Sequence, residues 1–138
     1  TPGSAVGERG VGHLARVLDF LDKDIGRHFR REEAVLFPAL EKHLGKEKGP
    51  TRLLRGEHEQ FWQWHRQLKA AYDKLQTAQG GPPPVELAEE VKRLSGELEG
   101  FLKEHIRKEN ETLLPLARRL FGEAEQAELA RQWRSFAG

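Results

Sequence analysis

His28-Phe29-Arg30-Arg31-Glu32-Glu33-Ala34-Val35-Leu36-Phe37-Pro38 returns later in the chain as His105-Ile106-Arg107-Lys108-Glu109-Asn110-Glu111-Thr112-Leu113-Leu114-Pro115. Both copies read His-x-Arg-basic-Glu-x-x-x-Leu-x-Pro. A histidine four residues before a glutamate shares a helix face with it, so each copy offers an imidazole and a carboxylate to one point in space. Two such pairs facing each other describe a metal site.

The surroundings of both copies have helical period. The first segment, from about Val11 to Leu44, carries a seam of Leu14, Leu18, Leu21, Ile25, His28, Glu32 and Val35. The second, from about Thr51 to Gln76, runs Leu54, His58, Phe61, His65, Leu68, Tyr72 and Leu75. The third, from about Val85 to Phe121, runs Val91, Leu94, Leu98, Phe101, His105, Glu109 and Thr112. A short fourth segment, Glu123 to Phe136, sets Leu129, Ala130, Trp133 and Phe136 on one side. Breaks fall at Gly45 to Pro50, at Gln79-Gly80-Gly81-Pro82-Pro83-Pro84 and at Gly122, and residues 1–12 read as a loose leader. No β-branched alternation marks a strand. The expectation is one all-α domain over residues 1–138, an antiparallel bundle of three long helices and a short C-terminal one. The first and third helices then run parallel, with the two motifs at one height. Pro38 and Pro115 predict a kink or restart.

His28, Glu32, His58, His105 and Glu109 occupy seam positions where leucines are ordinary. A buried carboxylate must neutralise or find a partner. Two of them with three imidazoles on three facing seams imply a cation. Carboxylates can bridge two ions while imidazoles cap each, an arrangement suited to a non-haem di-metal centre in a bundle. The chain has no cysteine, which excludes disulfides and thiolate ligation. Histidine and carboxylate favour zinc, iron, manganese or copper over calcium. The 23 basic and 22 acidic residues are interspersed, so neither nucleic acid nor membrane is an expected partner. With no signal peptide or long apolar run visible, a bacterial-type cytoplasm is the default location. The absence of methionine means that Thr1 is not a native initiator.

His28-Phe29-Arg30-Arg31-Glu32-Glu33 with Leu36-Phe37-Pro38, then Glu57-His58-Glu59, then His105 to Glu109 with Leu113-Leu114-Pro115, resembles the hemerythrin-like cation-binding (HHE) domain. The resemblance covers about Val11 to Phe121. It implies an antiparallel four-helix bundle holding a non-haem di-iron centre, with zinc or manganese as alternatives. It further implies Glu32 and Glu109 as bridging carboxylates and His28, His58 and His105 as terminal ligands. Oxygen-carrying members place a histidine four residues after His58, where this chain has Trp62. It therefore looks more like the members with fewer histidines, linked to iron–sulfur repair or iron sensing. The family also draws a histidine from a preceding helix. His13, roughly 22 Å from His28 along a continuous helix, lies out of reach. The family's first helix thus reads as missing, and an upstream segment or a second subunit is expected to complete the bundle.

For the remaining polar and aromatic residues the plainer readings are preferred. His65 reads as core packing or a hydrogen bond behind the site, and His43 as a partner of the helix dipole. His13 reads as structural, Trp62 and Trp64 as packing, and Glu33, Glu57 and the Lys46-Glu47-Lys48 stretch as solvated. The expected function is binding or sensing of O2, NO or peroxide, or iron handling under oxidative or nitrosative stress. The alternative is a metal-poor helical interaction or dimerisation module whose open groove recruits a partner. A di-iron oxidase or peroxidase rests on analogy alone, because no residue marks a substrate pocket.

Overall fold

The computed structural model describes residues 12–47, 49–77 and 85–137, which are almost wholly helical. Helix α1 spans residues 12–44, α2 Pro50–Thr77, α3 residues 85–120 and α4 Glu123–Ser135. This is the all-α bundle that the seams predict. The leader expected over residues 1–12 and the Gln79–Pro84 break lie outside the described residues, except Gly12, which already belongs to α1. No helix among the described residues is long and apolar enough to cross a membrane.

α1 ends where Gly45 takes φ 82°, a conformation that only glycine adopts cheaply, and its N–H bonds the Glu41 carbonyl at 2.7 Å. The chain then reverses into α2. Arg55 of α2 clamps the turn by donating to both Glu41 carboxylate oxygens at 2.8 and 2.9 Å. Its guanidinium also lies over the Phe37 ring at 5.3 Å. The hydrogen bonds from Arg55 hold the Glu41 carboxyl below its ordinary range.

The seams form two apolar clusters. Leu14, Leu18, Leu21, Phe29, Phe61, Leu68, Leu94 and Leu98 fill one end of the bundle. Phe37, Ala39, Leu40, Leu54, Leu113, Ala117 and Phe121 fill the other. Because Leu14 and Leu18 share a cluster with Leu94 and Leu98, and Phe37 with Leu113, α1 and α3 run parallel. Both clusters are built to bury side chains worth roughly 1.5–3 kcal/mol each. α4 follows an extended pair, Phe121 and Gly122, and lies against α1 without burying any residue of its own.

The prolines do not break their helices. A wide turn precedes each, over Glu32–Leu36 and Glu109–Leu113. In both, the glutamate carbonyl accepts from the N–H five residues on, Phe37 in one and Leu114 in the other. A proline ring collides with the carbonyl four residues back, and widening the turn moves that carbonyl aside. The extra residue in the turn rotates the seam. Leu113 is buried where Thr112 was expected, and Thr112 is exposed.

A third wide turn, Leu21–Gly26, rotates α1 in the same sense. Phe29 thereby enters the core, and His28, its neighbour on the expected seam, turns to the rim. Gly26 closes this turn against Trp62. A Cβ at Gly26 would stand 2.6 Å from Trp62 Cη2, which no real contact tolerates. Alanine gains roughly 1 kcal/mol over glycine inside a helix. The overlap outweighs this, since forcing an added methyl into a filled site costs about 1–3 kcal/mol. Gly26→Ala is therefore expected to lower the urea midpoint of unfolding, and an unchanged or raised midpoint contradicts the close approach.

Candidate metal centre

Five side chains from three helices meet between the two apolar clusters. α1 supplies His28 and Glu32, α2 His58, and α3 His105 and Glu109. Glu32, His58, His105 and Glu109 are buried, and one donor atom from each lies within 4.8 Å of all the others. His58 Nε2 stands 3.4 Å from Glu32 Oε1. His105 Nε2 stands 2.7 Å from Glu109 Oε1 but is not aligned to hydrogen-bond it. The structure thus brings the repeated motifs to one height, as the parallel helices require.

His28 sits apart from these four. Its side chain is 46% exposed, against 1% for His58 and none for His105. Its Nε2 reaches Glu32 Oε1 at 3.5 Å and Glu109 Oε2 at 3.7 Å, so it addresses both carboxylates from the rim. Trp133 of α4 meets its ring edge-on at 5.6 Å. Beside it opens a cavity of about 670 Å³, walled by Ile25, Leu102, Ile106, Leu129 and Trp133 among others, with Glu32 and Glu109 at its inner end.

The buried donors have no other use. Glu32 Oε1, His58 Nε2, His105 Nε2 and Glu109 Oε1 are all buried without a hydrogen-bond partner. Each such orphan costs on the order of 1–3 kcal/mol, and a charged one more. One cation among them satisfies all four. The far side of each buried imidazole is already committed. His58 Nδ1 lies 2.9 Å from Glu33 Oε1, and His105 Nδ1 lies 2.8 Å from Glu57 Oε1. Lys108 Nζ in turn donates to Glu57 Oε2 at 2.6 Å. A carboxylate behind an imidazole fixes the N–H on that side and leaves Nε2 with its lone pair facing the centre. The donor set and its orientation fit a metal ion.

Glu33 and Glu57 were expected to be solvated, and instead they orient the histidines. The sequence carried a faint signal, since each abuts a site residue. Pairing Glu57 with a histidine of another helix needs the tertiary fold. His65 packs on Trp62 at 5.4 Å and Phe61 at 6.2 Å, in keeping with a core role. His43 does not merely face a helix dipole: its Nε2 lies 2.9 Å from Glu125 of α4. His13 is exposed near the start of α1, and Trp62 fills the gap left by Gly26.

Two carboxylates this close cannot both ionise without a cation. Burial and the neighbouring Glu109 push Glu32 up to about 9. Burial also works to raise Glu109, but His105, His28 and the Glu32 carboxyl outweigh it and hold Glu109 low. Burial lowers His58. It opposes protonation of His105 too, yet Glu109 and Glu57 raise that imidazole, and Glu109 raises His28.

Without metal, the folded chain keeps a proton on Glu32 between its ordinary value of 4.5 and about 9, whereas the unfolded chain has lost it. This contribution to stability is complete below 4.5 and is lost as pH rises through about 9. Urea unfolding of metal-free protein is expected to show stability falling with pH across that window, and added metal, which displaces the proton, to flatten the dependence. A metal-free stability that rises over the same window contradicts the shared proton. Glu57→Gln is expected to weaken metal binding by about 10–100-fold while leaving the helical circular dichroism intact. Unchanged affinity would mean that the contact behind His105 is idle.

Comparison with known proteins agrees with this geometry. The family described as Hemerythrin HHE cation binding domain matches residues 3–117. The iron-sulfur cluster repair protein YtfE of Musicola paradisiaca is 32% identical over 115 residues, covering 80% of this chain and 48% of that protein. Its counterpart from Cronobacter sakazakii is 32% identical over 75% of this chain and 46% of its own length. That from Escherichia coli O1:K1 is 30% identical with the same coverage. The chain thus spans about half the length of the curated relatives it matches. No solved structure matches it at a significant level. With the helical bundle, the paired histidine–glutamate motifs and this match in agreement, the chain belongs to the hemerythrin HHE cation-binding domain family.

Proposed function

We propose that this chain binds a pair of non-haem iron ions and uses their open positions to bind O2, NO or peroxide, or to handle iron, under oxidative or nitrosative stress in a bacterial-type cytoplasm. The observation that carries the reading is the group of four buried donor atoms, none with a hydrogen-bond partner. His28, Glu32, His58, His105 and Glu109 would hold the metal. The relatives' printed name, iron-sulfur cluster repair protein, supports iron over zinc or manganese.

Bound iron would supply Lewis-acid positions and one-electron redox chemistry. The chain's own residues do the rest. Glu57, steadied by Lys108, and Glu33 hold the imidazoles of His105 and His58 in one tautomer. Phe29 stacks on His58 at 3.9 Å and Phe37 lies at 5.3 Å, so aromatic rings cover the inner side of the centre. The cavity beside His28 gives an approach to the centre, and its apolar walls admit small uncharged molecules.

Loading the metal-free chain anaerobically with ferrous iron and then admitting air tests this. The expected result is about two irons per chain and near-ultraviolet absorption of a bridged ferric pair that changes on adding azide. A colourless protein with a single zinc, or with no metal, overturns the di-iron reading.

A further inference from the structure

The cavity beside His28 is far larger than a diatomic ligand requires. It holds about 670 Å³. A water molecule takes up roughly 30 Å³ in the liquid, and O2, NO and peroxide are of that order. Sites of roughly 300–1,000 Å³ are the ones that enclose organic molecules. The walls come from three helices: Ile25 from α1, Leu102 and Ile106 from α3, and Leu129, Ala130 and Trp133 from α4. α4 turns those three side chains to the cavity, yet it buries no residue of its own. A helix ordinarily buries its apolar stripe against another element. Here the stripe faces the cavity, so a molecule bound there completes its burial.

The lining also selects the chemistry. Asp24, Glu32 and Glu109 are acidic, and none of the described lining residues is lysine or arginine. An organic anion is therefore disfavoured. An ionised carboxylate accepts hydrogen bonds and donates none, which suits a hydroxyl at the inner end better than a carbonyl. Phe29 and Trp133 both line the cavity, with ring centroids 6.2 and 5.6 Å from that of His28. A flat ring can pack on them edge-on or offset. We propose that this cavity binds a phenol-like molecule: uncharged, with an aromatic, apolar body held between α3 and α4 and a single hydroxyl turned to the inner end. The site goes beyond the metal reading above and depends neither on which ion the centre holds nor on its being loaded.

Calorimetric titration of para-propylphenol into the 138-residue chain tests this. Metal-free chain is used, so that no probe can bind by ligating an ion. The expected result is saturable one-to-one binding with a change in tryptophan fluorescence that Trp133→Phe removes. Para-propylanisole, which has the same body and no hydrogen to donate, is expected to bind about tenfold more weakly. Para-propylbenzoate, its anionic counterpart, is expected not to bind. Ala130→Trp fills the cavity from α4, and Ile106→Glu charges the opposite wall. Both positions are exposed, so each variant is expected to keep its helical circular dichroism and to lose affinity by tenfold or more. No saturable binding, equal binding of the three probes, or binding that both variants leave unchanged overturns the site. So does light scattering that finds a dimer broken by either variant, since a second copy of the chain then occupies the cavity. Iron loading tests the centre and this titration tests the cavity, so either can fail without the other.

Discussion

Two carboxylates and two imidazoles converge in a helical core, and the donor atoms they turn toward one another have no hydrogen-bond partner. Every other feature of the molecule is arranged around that unfavourable fact. A hydrophobic bundle of this size can fill its centre with leucine, and it does so above and below the polar layer. Within the layer the chain gives up that burial and accepts orphaned donors. The metal-free chain eases the conflict by leaving a proton on Glu32. A cation resolves it, because it replaces the proton and satisfies the nitrogens in the same event.

The layer stays ordered because it is braced from outside. Glu33 and Glu57 lie behind the imidazoles, and Lys108 lies behind Glu57. Phe29, Phe37 and Phe61 close the apolar side. This bracing thins toward His28, which leans on Phe29 and on the edge of Trp133, a residue of a helix that buries nothing. The gradient from braced to unbraced runs from α2 toward the cavity and gives the centre an inside and an outside.

Much of this was legible in the sequence. The alternating spacing of leucines placed α1, α2 and α3 within a residue or two of their observed ends, and the repeat placed both motifs at one height. Histidine and glutamate at seam positions marked the centre because those residue types are costly there. What the spacing could not carry was the local change of helical pitch. A seam written in steps of three and four assumes 3.6 residues per turn, and each wide turn adds one residue unannounced. That single residue exchanged Thr112 for Leu113 in the core and His28 for Phe29. Pro38 and Pro115 signalled a disturbance, but not that it would be absorbed by widening. Glu33 and Glu57 were hidden for another reason. Their roles depend on which neighbouring helix each faces, and the period of a single helix does not contain that.

The parallel course of α1 and α3 bears on how the protein is made. The donors that close the centre are widely separated along the chain, so bringing them together requires most of the bundle to exist already. Local helical contacts form first and cannot wait for an ion whose binding atoms are still dispersed. A cation therefore acts on the finished fold. It deepens the native basin without seeding the route into it, and its effect falls on the rate of escape rather than on the rate of arrival.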